Sequence, residues 1–92
     1  MQLIKIFSKK FSQINNIQKE HVIEYFIVEK NENNKKIYGV LVSRFNNKKI
    51  PERDSIFISS DYNKVYNILK FLYENSIGEL EFKDIINELH VL

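Results

Sequence analysis

Ninety-two residues, 43% of them hydrophobic and 28% charged, make one globular domain, 1–92, with room for one modest core. There is no cysteine, which excludes disulfides and thiolate metal sites and leaves stability to the core or to a partner chain. The net charge is only +2 but uneven: residues 1–50 carry ten Lys/Arg against four Asp/Glu, and residues 51–92 carry four against eight.

Such asymmetry fits a nucleic-acid or acidic-protein surface. It also fits the ordinary habit of lysine at sheet edges and acid at helix starts, which is the commoner cause. No run reaches the roughly 20 apolar residues that cross a bilayer. The start, MQLIKIFSKKF, has neither a long apolar segment nor a small-residue cleavage site, so a cytoplasmic protein with no membrane contact is expected. Heavy use of Lys, Ile and Asn, with no Ala, Thr or Trp, suggests an AT-rich bacterial or phage genome.

In chain order, Leu3–Phe7 reads as a short strand. Phe11, Ile14 and Ile17 then recur every three residues, which suits a weak helical turn, an irregular strand or a segment laid across the sheet. The strongest signal is a hairpin, His21–Lys30 and Lys36–Phe45, rich in β-branched and aromatic residues and joined by the polar run 31–35. Both parities of both arms are largely apolar, with Glu24 the main interruption, whereas a sheet with one wet face alternates cleanly. Gly39 marks a bulge or a close approach. After a second polar loop and Pro51, Ser55–Ser59 reads as a further strand.

Ser59, Ser60 or Asp61 caps a helix running to about Asn75. Val65, Ile68, Leu69 and Leu72, with three tyrosines, occupy an arc of about 160°, and Phe71 points away from it. Asn75 or Gly78 takes the left-handed stop. A second helix from about Glu79 to His90 carries Phe82, Ile85, Ile86 and Leu89 on one stripe. The expected fold is α+β: a small antiparallel sheet of three or four strands, followed by two C-terminal helices packed on one face.

The stretches Tyr25–Glu29, Ile37–Val40 and Ile56–Asp61, then Val65, Leu69, Leu72 and 75–86, resemble a family of short proteins from spore-forming Gram-positive bacteria, a domain of unknown function. The resemblance covers roughly residues 22–88 and implies the element order and a bacterial origin. It implies no activity. The family tends to place proline and histidine where this chain has Glu79 and Glu81.

Chemistry is sparsely signalled. His21 and His90 are the only histidines and stand far apart, so no metal site or histidine catalysis is expected. Glu52-Arg53-Asp54 reads as a solvated loop more readily than as a polar site. The chain's glycines, Gly39 and Gly78, form no phosphate loop, and no cofactor or catalytic residue is expected. A nucleic-acid adaptor would use Lys9, Lys10, Lys35, Lys36, Lys48 and Lys49 on phosphates and sheet aromatics on bases. A phage-derived inhibitor of a host protein is a further alternative. The favoured expectation is a non-enzymatic regulatory or protein-interaction module that self-associates as a homodimer. Two helices cover one sheet face, and the other needs cover from residues 8–19 or from a partner. Tyr38, Val40 and Val42, with Tyr25 and Phe26 across the strand, are the candidate partner surface; either parity can face outward.

Overall fold

Two asparagines set the register of the sheet. Asn33 and Asn34 both adopt positive φ, 50° and 66°, and make the two-residue turn that suits the twist of a hairpin. The turn joins β2 (His21–Glu32) to β3 (Lys35–Phe45), so the strands are longer and the loop tighter than the five-residue polar run suggests. β1 (Gln2–Phe11) and β4 (Glu52–Ser59) add on either side. The result is a four-stranded antiparallel meander in the order β1-β2-β3-β4, followed by α1 (Tyr62–Glu74) and α2 (Phe82–Leu89). The computed structural model describes residues 2–12, 14, 20–45 and 51–89. The α+β fold expected from the sequence is the fold observed.

Each edge strand carries a bulge. Lys5 pairs with Phe26 and Phe7 with Tyr25, leaving Ile6 as the extra residue of β1. Tyr38 pairs with Ser59 and Gly39 with Phe57, leaving Ile58 as the extra residue of β4. Gly39 sits at this second bulge because nothing larger fits. A Cβ there would lie 2.2 Å from the Ile56 carbonyl oxygen.

Both helices lie on one face. That face is built of cross-strand rows, Ile4–Ile27–Val40–Ile56 and Phe7–Tyr25–Val42–Asp54. Val65, Leu69 and Leu72 of α1, with Phe82 and Ile86 of α2, bury against Ile23, Tyr25, Ile27, Val40 and Val42. Phe71 is exposed, as its place outside the apolar arc requires. Rings continue the contact: Phe7 stacks on Tyr73 at 4.5 Å, and Tyr38 meets Tyr62 edge-on at 5.3 Å.

Asp61 is the N-cap of α1, accepting from the Lys64 amide at 3.3 Å. At the other end Ser76, not Asn75 or Gly78, takes the left-handed conformation, with φ 53°. The Ser76 amide bonds Tyr73 and the Ile77 amide bonds Leu72, the 5→2 and 6→1 pair that closes a helix. Gly78 is freed from that duty. Its carbonyl accepts from Glu81 and Phe82, its amide donates to the Glu81 carboxylate at 3.3 Å, and the regular turns of α2 begin at Phe82 rather than at Glu79. β1 runs on past Phe7 to Phe11, so Phe11, the first of the three ambiguously spaced residues, belongs to that strand. Ile17 and His90 lie outside the described residues.

Candidate interaction face

Among the described residues, no helix lies over the opposite side of the sheet. Its cross-strand rows are Leu3–Val28–Gly39–Phe57, Lys5–Phe26–Leu41–Ser55 and Ser8–Glu24–Ser43–Arg53, with Lys10–Val22–Phe45 at the far end. Apolar residues predominate in the first, second and fourth rows, and charge gathers in the third, with Lys5 and Lys10 on the β1 edge. Val28 is 0% and Leu41 7% exposed, yet neither belongs to the core cluster under the helices. Lys30 Nζ lies 4.3 Å from the centroid of the Phe57 ring. Lys30 stands on β2 and Phe57 on β4, so this contact spans β3 where Gly39 has no side chain. Leu3, 43% exposed, and half-buried Phe26 complete an apolar strip across β1 and β2.

The lysines of this face are already partnered. Lys5 Nζ lies 3.0 Å from Glu24, Lys10 3.0 Å from Glu20, and Lys30 3.2 Å from Glu32. The strip is thus flanked by mixed-sign pairs rather than by a field of one sign.

Of the five residues expected on the partner surface, only Phe26 lies here. Tyr25, Val40 and Val42 are fully buried under the helices, and half-buried Tyr38 points to the same side, against Tyr62. As an outward surface that parity is corrected: the outward parity is Phe26 and Val28 on β2 with Leu41 on β3. A sequence signal for this existed. On β2 the outer parity is interrupted by Glu24 while Ile23, Tyr25 and Ile27 carry no charge, and toward the turn both parities become charged, Glu29 inward and Lys30 and Glu32 outward.

The expected phosphate contacts also divide. The bulge at Ile6 turns Lys9 inward, where Nζ donates to the Tyr73 carbonyl at 2.6 Å and to Ser76 Oγ at 2.9 Å, over the Tyr73 ring. Lys9 therefore ties β1 to the end of α1 and is not available to a phosphate. Lys10 is held by Glu20, and Lys36 stands 4.0 Å from Glu29. Lys35 is exposed beside the turn, and Lys48 and Lys49 lie outside the described residues.

A polar cluster locks the turn between the helices to the sheet. Arg44 Nε lies 3.0 Å from Glu79 Oε1, close enough for charge contact but not aligned for a hydrogen bond. The Glu79 side chain is only 3% exposed, and neither of its oxygens has a hydrogen-bond donor among the described residues. The guanidinium lies close against Gly78, where a Cβ would stand 2.7 Å from an Arg44 guanidinium nitrogen. Tyr25 donates to the Ile77 carbonyl at 3.0 Å, and burial pushes its phenol up to about 12. Asp54, exposed on β4, is held below its ordinary value by its hydrogen bond with Lys83 of α2 and by the Ser55 amide.

His21 stacks on Phe11 at 4.6 Å. Among the described residues no cluster of three or more His, Asp or Glu is placed to hold a metal ion, and no helix is long and apolar enough to cross a membrane. No curated protein and no solved structure matches the chain. One family model does match, over residues 4–91, nearly the full length. The chain belongs to the Family of unknown function (DUF6514).

Proposed function

We propose that this domain is a small non-enzymatic interaction module that self-associates, its docking surface being the helix-free face of the sheet. One observation carries the reading: the face opposite the helices presents the partly exposed Leu3, Phe26 and Phe57, and its lysines Lys5, Lys10 and Lys30 are each paired with a carboxylate. Apolar surface of this kind gains roughly 25 cal/mol for each Å² withdrawn from water. Paired charges at its margin do not repel a second copy. The setting we propose is the cytoplasm of a spore-forming Gram-positive bacterium, on the strength of the sequence resemblance and the Lys, Ile and Asn-rich composition.

Light scattering over a dilution series tests this reading. Self-association gives a mass of twice 11.1 kDa at micromolar concentration, and 11.1 kDa at every concentration refutes it. A second reading, a nucleic-acid adaptor, draws on Phe26 and Phe57 sharing a face with Lys5, Lys10 and Lys30. It requires those lysines to leave Glu24, Glu20 and Glu32 for phosphates. Binding to single-stranded DNA or RNA that weakens steeply with salt would favour it, and no binding at low salt removes it.

A further inference from the structure

We infer that α2 is a hinged lid: residues 78–89 lift off the sheet as one body about the Ile77–Gly78 junction, while the sheet and α1 stay folded. This stands whether or not the chain self-associates. The chain is tied very differently on the two sides of that junction.

Up to Ile77 the turn is pinned by aligned hydrogen bonds. The Ile77 amide donates to the Leu72 carbonyl at 2.9 Å, and the Ile77 carbonyl accepts from the Tyr25 hydroxyl at 3.0 Å. Lys9 Nζ donates to the Tyr73 carbonyl and to Ser76 Oγ. Gly78 follows, with a backbone freer to rotate than that of any other residue type. From there the bonds are internal to the lid. The Gly78 carbonyl accepts from Glu81 and Phe82, its amide donates to the Glu81 carboxylate, and the Ile85 amide donates to the Glu81 carbonyl.

Among the described residues, the side-chain polar ties from this body to the sheet are two ion pairs. Lys83–Asp54, at 2.9 Å, has its side chains 43% and 50% exposed, and water and salt weaken a pair so placed. Arg44–Glu79 is buried on the glutamate side, yet neither carboxylate oxygen receives a hydrogen bond from the described residues. Withdrawing a carboxylate from water is costly, and a poorly aligned partner repays that cost only in part. Opening rehydrates Glu79, which offsets the loss of the pair. The closed state is therefore held chiefly by burial of Phe82 and Ile86, with half-buried Ile85 beside them.

α2 spans eight described residues, about two turns, too few to hold a helix in water without packing. It therefore forms and melts with its docking. α1, by contrast, has thirteen residues and buries Val65, Leu69 and Leu72, and β2 and β3 are paired from Val22–Phe45 to Glu32–Lys35. The element with the weakest ties opens first. Opening bares Phe82, Ile86 and the apolar surface beneath them, which the closed molecule hides.

Amide hydrogen exchange resolved by residue, in water and in low urea, tests the lid on the full chain. The helical amides of α2 should share one opening equilibrium, roughly tenfold or more above that of the β2–β3 ladder and weakly dependent on urea, because little surface is exposed. Val28→Ala, buried on the sheet face away from the helices, should speed exchange in the ladder roughly tenfold or more and leave α2 unchanged, since the lifted state keeps that strand folded. Arg44→Met should speed α2 roughly tenfold or more by stranding Glu79. Exchange of α2 with the rate and urea dependence of the ladder overturns the lid, because α2 then leaves only on global unfolding. Rates graded from the helix end overturn it as fraying. So does α2 exchange that rises with the ladder in Val28→Ala or is unmoved by Arg44→Met. Should either variant fail to fold, the urea dependence of the wild type decides alone.

Discussion

Tyr25→Phe removes one oxygen from the middle of the fold and separates two effects by pH. At pH 7 the hydroxyl donates to the Ile77 carbonyl, tying β2 to the turn between the helices. A bond of this kind contributes roughly 1 kcal/mol net, and its loss leaves a carbonyl without its donor. In alkali the same group works against the fold. Burial holds its pKa near 12 against an ordinary 10.0, so the unfolded chain ionises first. The stabilisation of the neutral phenol is complete below pH 10 and is lost as the pH rises toward 12. At about 1.36 kcal/mol per unit, that loss is about 1.9 kcal/mol at pH 11.5. Urea unfolding of the wild type and Tyr25→Phe, at pH 7 and in steps from 9 to 11.5, measures the difference. The wild type should be more stable by about 1 kcal/mol at pH 7, with the order reversing by pH 11.5. A gap that stays constant across the range would refute the burial of this phenol.

Val40→Asp should abolish cooperative thermal melting, because it places an unpaired carboxylate at a fully buried position between β2, β4 and α1. Arg44→Met should cost about 3 kcal/mol in urea unfolding by leaving Glu79 buried without its countercharge. The double variant Arg44→Met/Glu79→Leu should recover all but about 1 kcal/mol, and with Glu79→Leu measured as well, single losses that simply add in the double would show that the pair is not coupled. Asn34→Gly should raise the melting temperature by about 2–4 °C, since Asn34 holds φ at 66° in a two-residue turn that favours glycine there.

The helices and the hairpin were legible because each rests on a local pattern. α1 shows one apolar arc bounded by Asp61 and Asn75, and the β2–β3 strands show dense β-branched runs about an asparagine turn. Which sheet face looks outward was harder, because Tyr25 and Ile27 on one parity are matched by Phe26 and Val28 on the other. The expectation named Tyr38, Val40 and Val42 while leaving either parity open, and this is the parity that the helices cover. The bulge at Ile6 was invisible for a different reason. It is a mismatch of register between two strands, and no window along β1 alone contains it. Yet it turns Phe7 and Lys9 to the helix side while Lys5 stays on the outer face, which converts Lys9 from an apparent phosphate ligand into a tie to α1. The Arg44–Glu79 contact escaped for the same cause: 35 positions separate the partners, and only the closed turn at Ser76 brings them together.

The helix-free face is tested most directly by the mass of Phe26→Lys measured beside the wild type at one micromolar-range concentration, with circular dichroism on the same samples. We predict matching spectra, a wild-type mass of twice 11.1 kDa and a variant mass of 11.1 kDa. A folded variant that keeps the wild-type dimer mass would contradict the assignment of that face as the surface where the copies meet.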